Sequence, residues 1–261
     1  MKIVKAHAFG NDFLLVEESV LPSGVERAVL ARKLCDRHRG LGGDGLISYA
    51  DGPLGARMSL LNADGSYSEV SGNGVRCLAA WLARMRSMHE GDALDIETDA
   101  GVKTLELLSQ HGRRLTFRAA MGQPEHVEQR TIDVDGTAVT AVTLRVGNPQ
   151  CVVLGEASPE RLHGLAAKLA VHPTFPHGAN VELATVERPD RVRILIWERG
   201  VGPTEASGTG ACAAAVAAIA YGGAAREVEV VSPGGSQRVE WTGDGLFLTG
   251  WAEVVFEGRW L

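Results

Sequence analysis

Cysteine is scarce in this chain and nowhere spaced for metal. Cys35, Cys77, Cys151 and Cys212 are scattered over 261 residues with no C-x-x-C pair, so no structural zinc site is expected. Free, buried thiols of a reducing compartment are the simplest reading. Long apolar runs are missing too. The most apolar stretch, Ala211 to Ala225, is rich in alanine and glycine and too short to span a bilayer. The opening MKIVKAHAFGNDF lacks the apolar run of a signal peptide. No membrane association and a cytoplasmic location are therefore expected. No segment concentrates Lys and Arg, and the net charge is −6, which speaks against nucleic acid. No glycine-rich loop ends in Lys-Ser or Lys-Thr, which disfavours nucleotide phosphate.

What is present is one phrase written twice. Glu69-Val70-Ser71-Gly72-Asn73-Gly74-Val75-Arg76-Cys77 and Glu205-Ala206-Ser207-Gly208-Thr209-Gly210-Ala211-Cys212 each read as a loop, a Gly-x-Gly turn and the first turn of an apolar helix. Ser207 follows Ser71 by 136 positions, Asn148 follows Asn11 by 137 and His172 follows His38 by 134. Matches at a nearly constant offset argue for an internal duplication. Two α+β lobes are expected, with a ligand site in the cleft between them. The loosened pattern around Gly122 to Glu128 puts the boundary there: one lobe over 1–122, joined by a last strand at about 252–261, and the other over 123–251.

Local signals fill in the elements. Ser23-Gly24-Val25-Glu26 has the form of a capping box, opening a helix that carries Val29, Leu30 and Leu34 and stops at Arg39-Gly40. In the first copy of the phrase, Val75, Leu78, Ala79, Leu82 and Met85 form one helical stripe. Ser158-Pro159 opens another helix, running to about Val171. Asp135-Gly136 and Gly243-Asp244-Gly245 mark hairpins.

The first N–H groups of a helix lack an internal partner, and the helix dipole adds positive potential there. Glycines beside them let a ligand approach the backbone. Such an end binds carboxylate or phosphate, and carboxylate is the better fit here. Ser71 and Ser207 are also preferred N-cap residues. Asn11, Asn62, Asn148 and Asn180 are suited to turns, and Glu198-Arg199 could be an exposed strand-end pair.

Several strings together resemble the diaminopimelate epimerase family: Asn62-Ala63-Asp64-Gly65-Ser66, Gly72-Asn73-Gly74 with Arg76-Cys77, Gly147-Asn148-Pro149, Glu198-Arg199-Gly200 and Gly208-Thr209-Gly210-Ala211-Cys212. His7, Phe9-Gly10-Asn11-Asp12-Phe13 and His172-Pro173 agree, so the likeness covers essentially the whole chain in order. The resemblance implies two pseudo-symmetric lobes, each a β-barrel around a central helix. It implies cofactor-free, metal-free inversion at the α-carbon of an amino acid, most simply LL-/meso-diaminopimelate, and a homodimer.

By the same resemblance, Asn11, Asn62, Gly72, Asn73, Asn148, Asn180, Glu198, Arg199, Gly208 and Thr209 contact the substrate. Arg199 would face a distal carboxylate, with Glu198 and Asn180 near the distal ammonium. The sequence departs from the family where the acid–base pair belongs. Ser71 and Ser207 stand where two cysteines are expected, and Gln150 stands for a histidine. An alkoxide forms far less readily than a thiolate, and a serine needs an adjacent base, for which Glu198 is the candidate. Turnover is expected to be strongly reduced. Two further readings stay open: a lyase of the hydroxyproline-dehydratase type, and an amino-acid binder without catalysis.

Overall fold

The computed structural model describes residues 1–261, which divide into two compact units: Met1–Ala119 with Gly250–Leu261, and Ala120–Thr249. The first unit contains β1 (Lys2–Ala8), β2 (Asn11–Glu17), α1 (Arg27–Cys35), β3 (Gly45–Gly52), β4 (Gly55–Asn62), β5 (Tyr67–Ser68), α2 (Gly72–Met85), β6 (Ala93–Thr98), β7 (Gly101–His111) and most of β8 (Arg114–Gly122). The second contains β9 (Glu125–Val134), β10 (Thr137–Val146) and β11 (Asn148–Leu154), then α3, made of Pro159–Arg161, a π-turn at Leu162–Ala166, and Ala167–Ala170. It continues with β12 (Asn180–Arg188), β13 (Arg191–Glu198), β14 (Gly202–Thr204), α4 (Gly208–Tyr221), β15 (Glu227–Ser232), β16 (Gly235–Thr242) and the start of β17 (Gly245–Arg259).

In the first unit, strand pairing runs β1–β2–β3–β4–β6–β7–β8–β17 and returns to β1, a closed eight-stranded ring. Closure leaves no open sheet edge. The β2/β3 and β4/β6 contacts are parallel, because a helical connection crosses over between their strands. The second unit repeats this succession. Hairpin β10/β11, parallel pair β11/β12, hairpin β12/β13, parallel pair β13/β15 and hairpin β15/β16 follow one another, and β16 pairs with β17. The duplication read from the sequence is thus a duplication of strand order. Two of the tight hairpins have positive φ at both central residues: Phe9 (54°) with Gly10 (87°), and Asp135 (54°) with Gly136 (80°). That backbone matches the twist of the flanking strands.

Each unit is built around one buried helix. In α4, Ala211 to Ala218 are at most 2% exposed and pack against Val142, Val152, Ile194, Val230, Val239 and Leu248 from the surrounding strands. A helix apolar on every side must be enclosed, and alanine lets strands approach on every side. In α2, Asn73 through Ala83 are buried. Met85 is the exception to the expected stripe: it sits in the last turn and is 56% exposed.

The first helix also departs from expectation. The Ser23–Glu26 capping box does not form. Glu26 itself occupies the cap position in extended backbone, with no side-chain cap bond. The buried face Leu30, Ala31, Leu34 and Cys35 sets the extent of α1, so packing overrides the local capping signal. The helix ends at Cys35, four residues before the expected stop, because the Asp36 carboxylate accepts the N–H groups of His38 and Arg39 at 2.8 Å each. No helix is long and apolar enough to cross a membrane, and all four cysteines are buried and outside any disulfide.

Candidate active site

The two copies of the phrase fold alike. Ser71 (φ −127°, ψ 123°) and Ser207 (φ −136°, ψ 129°) are both extended residues that cap a helix. Each Oγ accepts the N–H three residues on, from Gly74 and Gly210, at 3.1 Å in both cases. One orphan donor is satisfied in each first turn, worth about 1 kcal/mol per cap. A capping hydroxyl used as an acceptor keeps its own proton to donate. Gly72 and Gly208 follow directly, at the helix ends where the dipole is positive.

In the first unit an ionic network holds this helix start. Asn73 donates to Asn11 Oδ1 (3.1 Å), Asn11 donates to Asp44 Oδ2 (2.8 Å), and the N–H of Asp12 donates to the same oxygen (3.0 Å). Arg37 bridges Asp44 (2.8 Å) and Asp12 (2.7 Å), and Lys5 closes on Asp12 at 2.8 Å. Burial alone would raise the Asp12 carboxyl, but the hydrogen bonds and charges of Arg37 and Lys5 hold it at about 2. Arg76 donates to Asn73 Oδ1, so the Asn73 side chain, 2% exposed, is engaged on both sides. Asn62 opposes Gly45 across β3/β4 and donates to Ser66 Oγ at 2.9 Å, as a turn residue does.

The second unit assembles a different set. Side chains two apart on a strand share a face, as do directly paired residues. Asn148 and Gln150 on β11, Asn180 and Glu182 on β12, and Ile196 opposite Glu182 therefore share one side of the sheet. Gln150 and Glu182 are both completely buried. One end of the Gln150 amide lies 3.0 Å from Glu182 Oε1 and 3.3 Å from Oε2. The other end lies 2.5 Å from Asn148 Oδ1 and 3.3 Å from Thr209 Oγ1. Thr209 Oγ1 is in turn 3.5 Å from Ser207 Oγ. Burial first, and the charge of Glu198 second, push the Glu182 carboxyl well above the usual carboxylate range.

Asn180 Oδ1 accepts the backbone N–H of Arg199 at 2.9 Å, and the Arg199 guanidinium donates to His177 O at 2.8 Å. Gly178 (φ +71°) makes room for this arrangement, since a Cβ there would come 2.9 Å from Arg199 Cδ. Thus Ser207, Thr209 and Asn148 come together, and Asn180 joins Arg199. Ser71, Asn73 and Asn11 come together in the first unit. Glu182, Asp44, Asp12, Arg37 and Lys5 were missed in the sequence. The signal for Glu182 was its place two residues after Asn180 in a strand otherwise buried at Val181, Leu183 and Ala184.

The family model for diaminopimelate epimerase matches residues 3–127 and 142–255. The diaminopimelate epimerase of Desulforudis audaxviator is 40% identical over 281 residues, covering 100% of this chain and 99% of its own. That of Desulfitobacterium hafniense is 39% identical, covering 99% and 97%. Among solved structures, a predicted epimerase from Pseudomonas aeruginosa superposes with a TM-score of 0.77 at 15% identity, covering 100% of this chain and 99% of its own. A hydroxyproline epimerase from Agrobacterium vitis superposes with a TM-score of 0.73 at 16% identity, covering 99% and 90%. At such identities these two speak for the fold alone. The fold is therefore the α+β, double-barrel fold of these isomerases, and the chain belongs to the diaminopimelate epimerase family.

Proposed function

We propose that this chain binds LL- and meso-diaminopimelate and interconverts them slowly, with Ser71 and Ser207 in the positions of the acid–base pair. The observation that carries this is the matched pair of helix starts, each with a serine Oγ fixed at 3.1 Å from the third N–H. Inversion breaks the α-C–H bond on one face, leaves the electron pair delocalised into the carboxylate, and forms a new C–H bond on the other face. Helix N-termini favour the extra negative charge on that carboxylate. A serine hydroxyl can deliver a proton. To remove one it must first lose its own, and no base is hydrogen-bonded to either Oγ. By the family resemblance, Gly72, Asn73, Gly208, Thr209, Asn11, Asn62 and Asn148 are the residues proposed to contact the amino-acid end of the substrate. Arg199 serves a distal carboxylate, and Asn180 and Glu198 serve a distal ammonium. A place in lysine biosynthesis, a homodimer and a cytoplasmic location belong to the same proposal.

Because both hydroxyls are taken as caps, binding without turnover is the second reading. Calorimetry with meso-diaminopimelate, run beside α-proton exchange in deuterium oxide, separates the two. Binding with slow exchange supports the epimerase, and binding with none supports the binder. Absence of binding rejects both.

A further inference from the structure

The two units solve one packing problem in opposite ways. Under the first turn of α2, a Cβ on Gly74 would meet Ile47 Cδ1 at 3.1 Å and Phe13 Cε1 at 3.6 Å. Under the first turn of α4, a Cβ on Gly210 would meet Glu182 Oε1 at 2.6 Å. The register makes the positions equivalent. Phe13 pairs with Gly45, two residues before Ile47; Gln150 pairs with Asn180, two residues before Glu182. An apolar pair, Phe13 and Ile47, thus supports one helix start, and a buried amide and carboxyl, Gln150 and Glu182, support the other. Burying a carboxyl is costly, and the first unit shows that the fold does not need one there.

On the epimerase reading above, we propose that Glu182 is a positioning acid for carboxylate binding: neutral, it donates to Gln150, and through that amide it aims the Asn148 amide and the Thr209 hydroxyl at the ligand as donors. The amide has two ends and only one bears hydrogens. With Glu182 neutral, its O–H donates to the Gln150 oxygen over 3.0 Å. The Gln150 nitrogen then donates to Asn148 Oδ1, with Thr209 Oγ1 3.3 Å away. The Thr209 O–H and the Asn148 N–H groups are left to donate elsewhere, and both residues are half-buried at the surface of the cluster. With Glu182 ionised, the nitrogen must face the carboxylate. The Gln150 oxygen then draws the hydrogens of Asn148 and Thr209 inward, and an anionic ligand loses them. The proton on Glu182 thereby acts through the end-for-end turn of two side-chain amides, those of Gln150 and Asn148.

The surroundings keep that proton in place. No lysine, arginine or histidine pairs with Glu182. The charged group acting on it is Glu198 at the end of β13, Cys151 on β11 points to the other side of the sheet, and α4 brings the unionisable Gly210 against it.

Two measurements test this. In the ligand-free protein near pH 7, infrared difference spectra between wild type and Glu182→Gln should contain the C=O band of a protonated carboxylic acid, and its absence overturns the proposal whatever the ligand. Calorimetry with meso-diaminopimelate from pH 5 to 9 should show wild-type affinity falling as pH rises. Glu182→Gln, which still offers a donor, should match wild type at the acid end and lose that fall. Gln150→Phe combined with Glu182→Ile, which transplants the packing of the first unit, should fold and bind about tenfold more weakly at every pH. Identical pH profiles for wild type and Glu182→Gln, or undiminished binding by the double variant, overturn it. If wild type binds no meso-diaminopimelate while the infrared band is present, the substrate assignment fails and the neutral acid stands.

Discussion

Glu182 rests directly against Gly210. A Cβ built on Gly210 would lie 2.6 Å from Glu182 Oε1 and 3.2 Å from Ser207 Oγ, a space no side chain can enter without displacing one of them. At Gly74 the nearest atom is the terminal methyl of Ile47 at 3.1 Å, which can turn aside. Gly210→Ala should therefore destabilise the protein by about 1–3 kcal/mol. Gly74→Ala should cost less, because alanine recovers about 1 kcal/mol of helix propensity. Denaturant unfolding of both variants checks the order, and equal losses would contradict it.

Ser71→Ala and Ser207→Ala each remove one cap bond, and each should cost about 1 kcal/mol of stability. The two caps have the same length and backbone geometry, so the two losses should be similar. Urea midpoints compared at constant slope test this. A variant at wild-type stability would mean that its cap bond contributes nothing.

The pH dependence of stability should carry two opposite signs. Asp12 is held at about 2, below its ordinary value. Its contribution is complete above the unfolded value near 4 and is lost as pH falls towards 2. Asp12→Asn should thus cost about 2 kcal/mol at neutral pH and almost nothing near pH 2. Glu182 is shifted upward by burial and by Glu198. The folded protein then holds a proton that the unfolded chain releases, so stability falls as pH rises from about 4 through the folded value. Glu182→Gln should flatten that descent. A steeper descent in this variant would reverse the assigned sign.

The cysteines should be silent to thiol reagents. Burial first, with nearby carboxylates second, pushes Cys35 and Cys151 up to about 12, and burial raises Cys77 further. Reaction with an aromatic disulfide reagent should show no thiol in native protein and four after unfolding. A rapidly reacting thiol in the native state would contradict the burial of all four.

Where local chemistry and packing agree, the sequence was readable. Ser71, Ser207 and Ser158 cap helices as their flanking residues suggest, and Asp135-Gly136 turns a hairpin. The repeat distance foretold a repeated strand order. Where packing overrides local signals, the sequence misled. Ser23 has the form of a cap, but α1 begins only where Leu30 and Leu34 can be buried. Met85 continues the apolar stripe, yet in the last turn of α2 it is exposed. The glycines, serines and asparagines proposed for the site stand in contiguous strings, which is why the sequence singles them out. Gln150 and Glu182 are 32 positions apart and meet only through the parallel pairing of β11 with β12, a contact that no local pattern encodes.

The most direct test of the central claim is α-proton exchange on LL- and meso-diaminopimelate in deuterium oxide, comparing the wild type with the double variant Ser71→Cys, Ser207→Cys. A thiol at a helix N-terminus ionises near neutral pH, whereas a serine hydroxyl does not. Slow exchange by the wild type, raised about 10²-fold or more in the double variant, is the expected result. Exchange that is already fast in the wild type, or that fails to rise in a folded double variant that still binds diaminopimelate, would contradict the assignment of Ser71 and Ser207 to the acid–base positions.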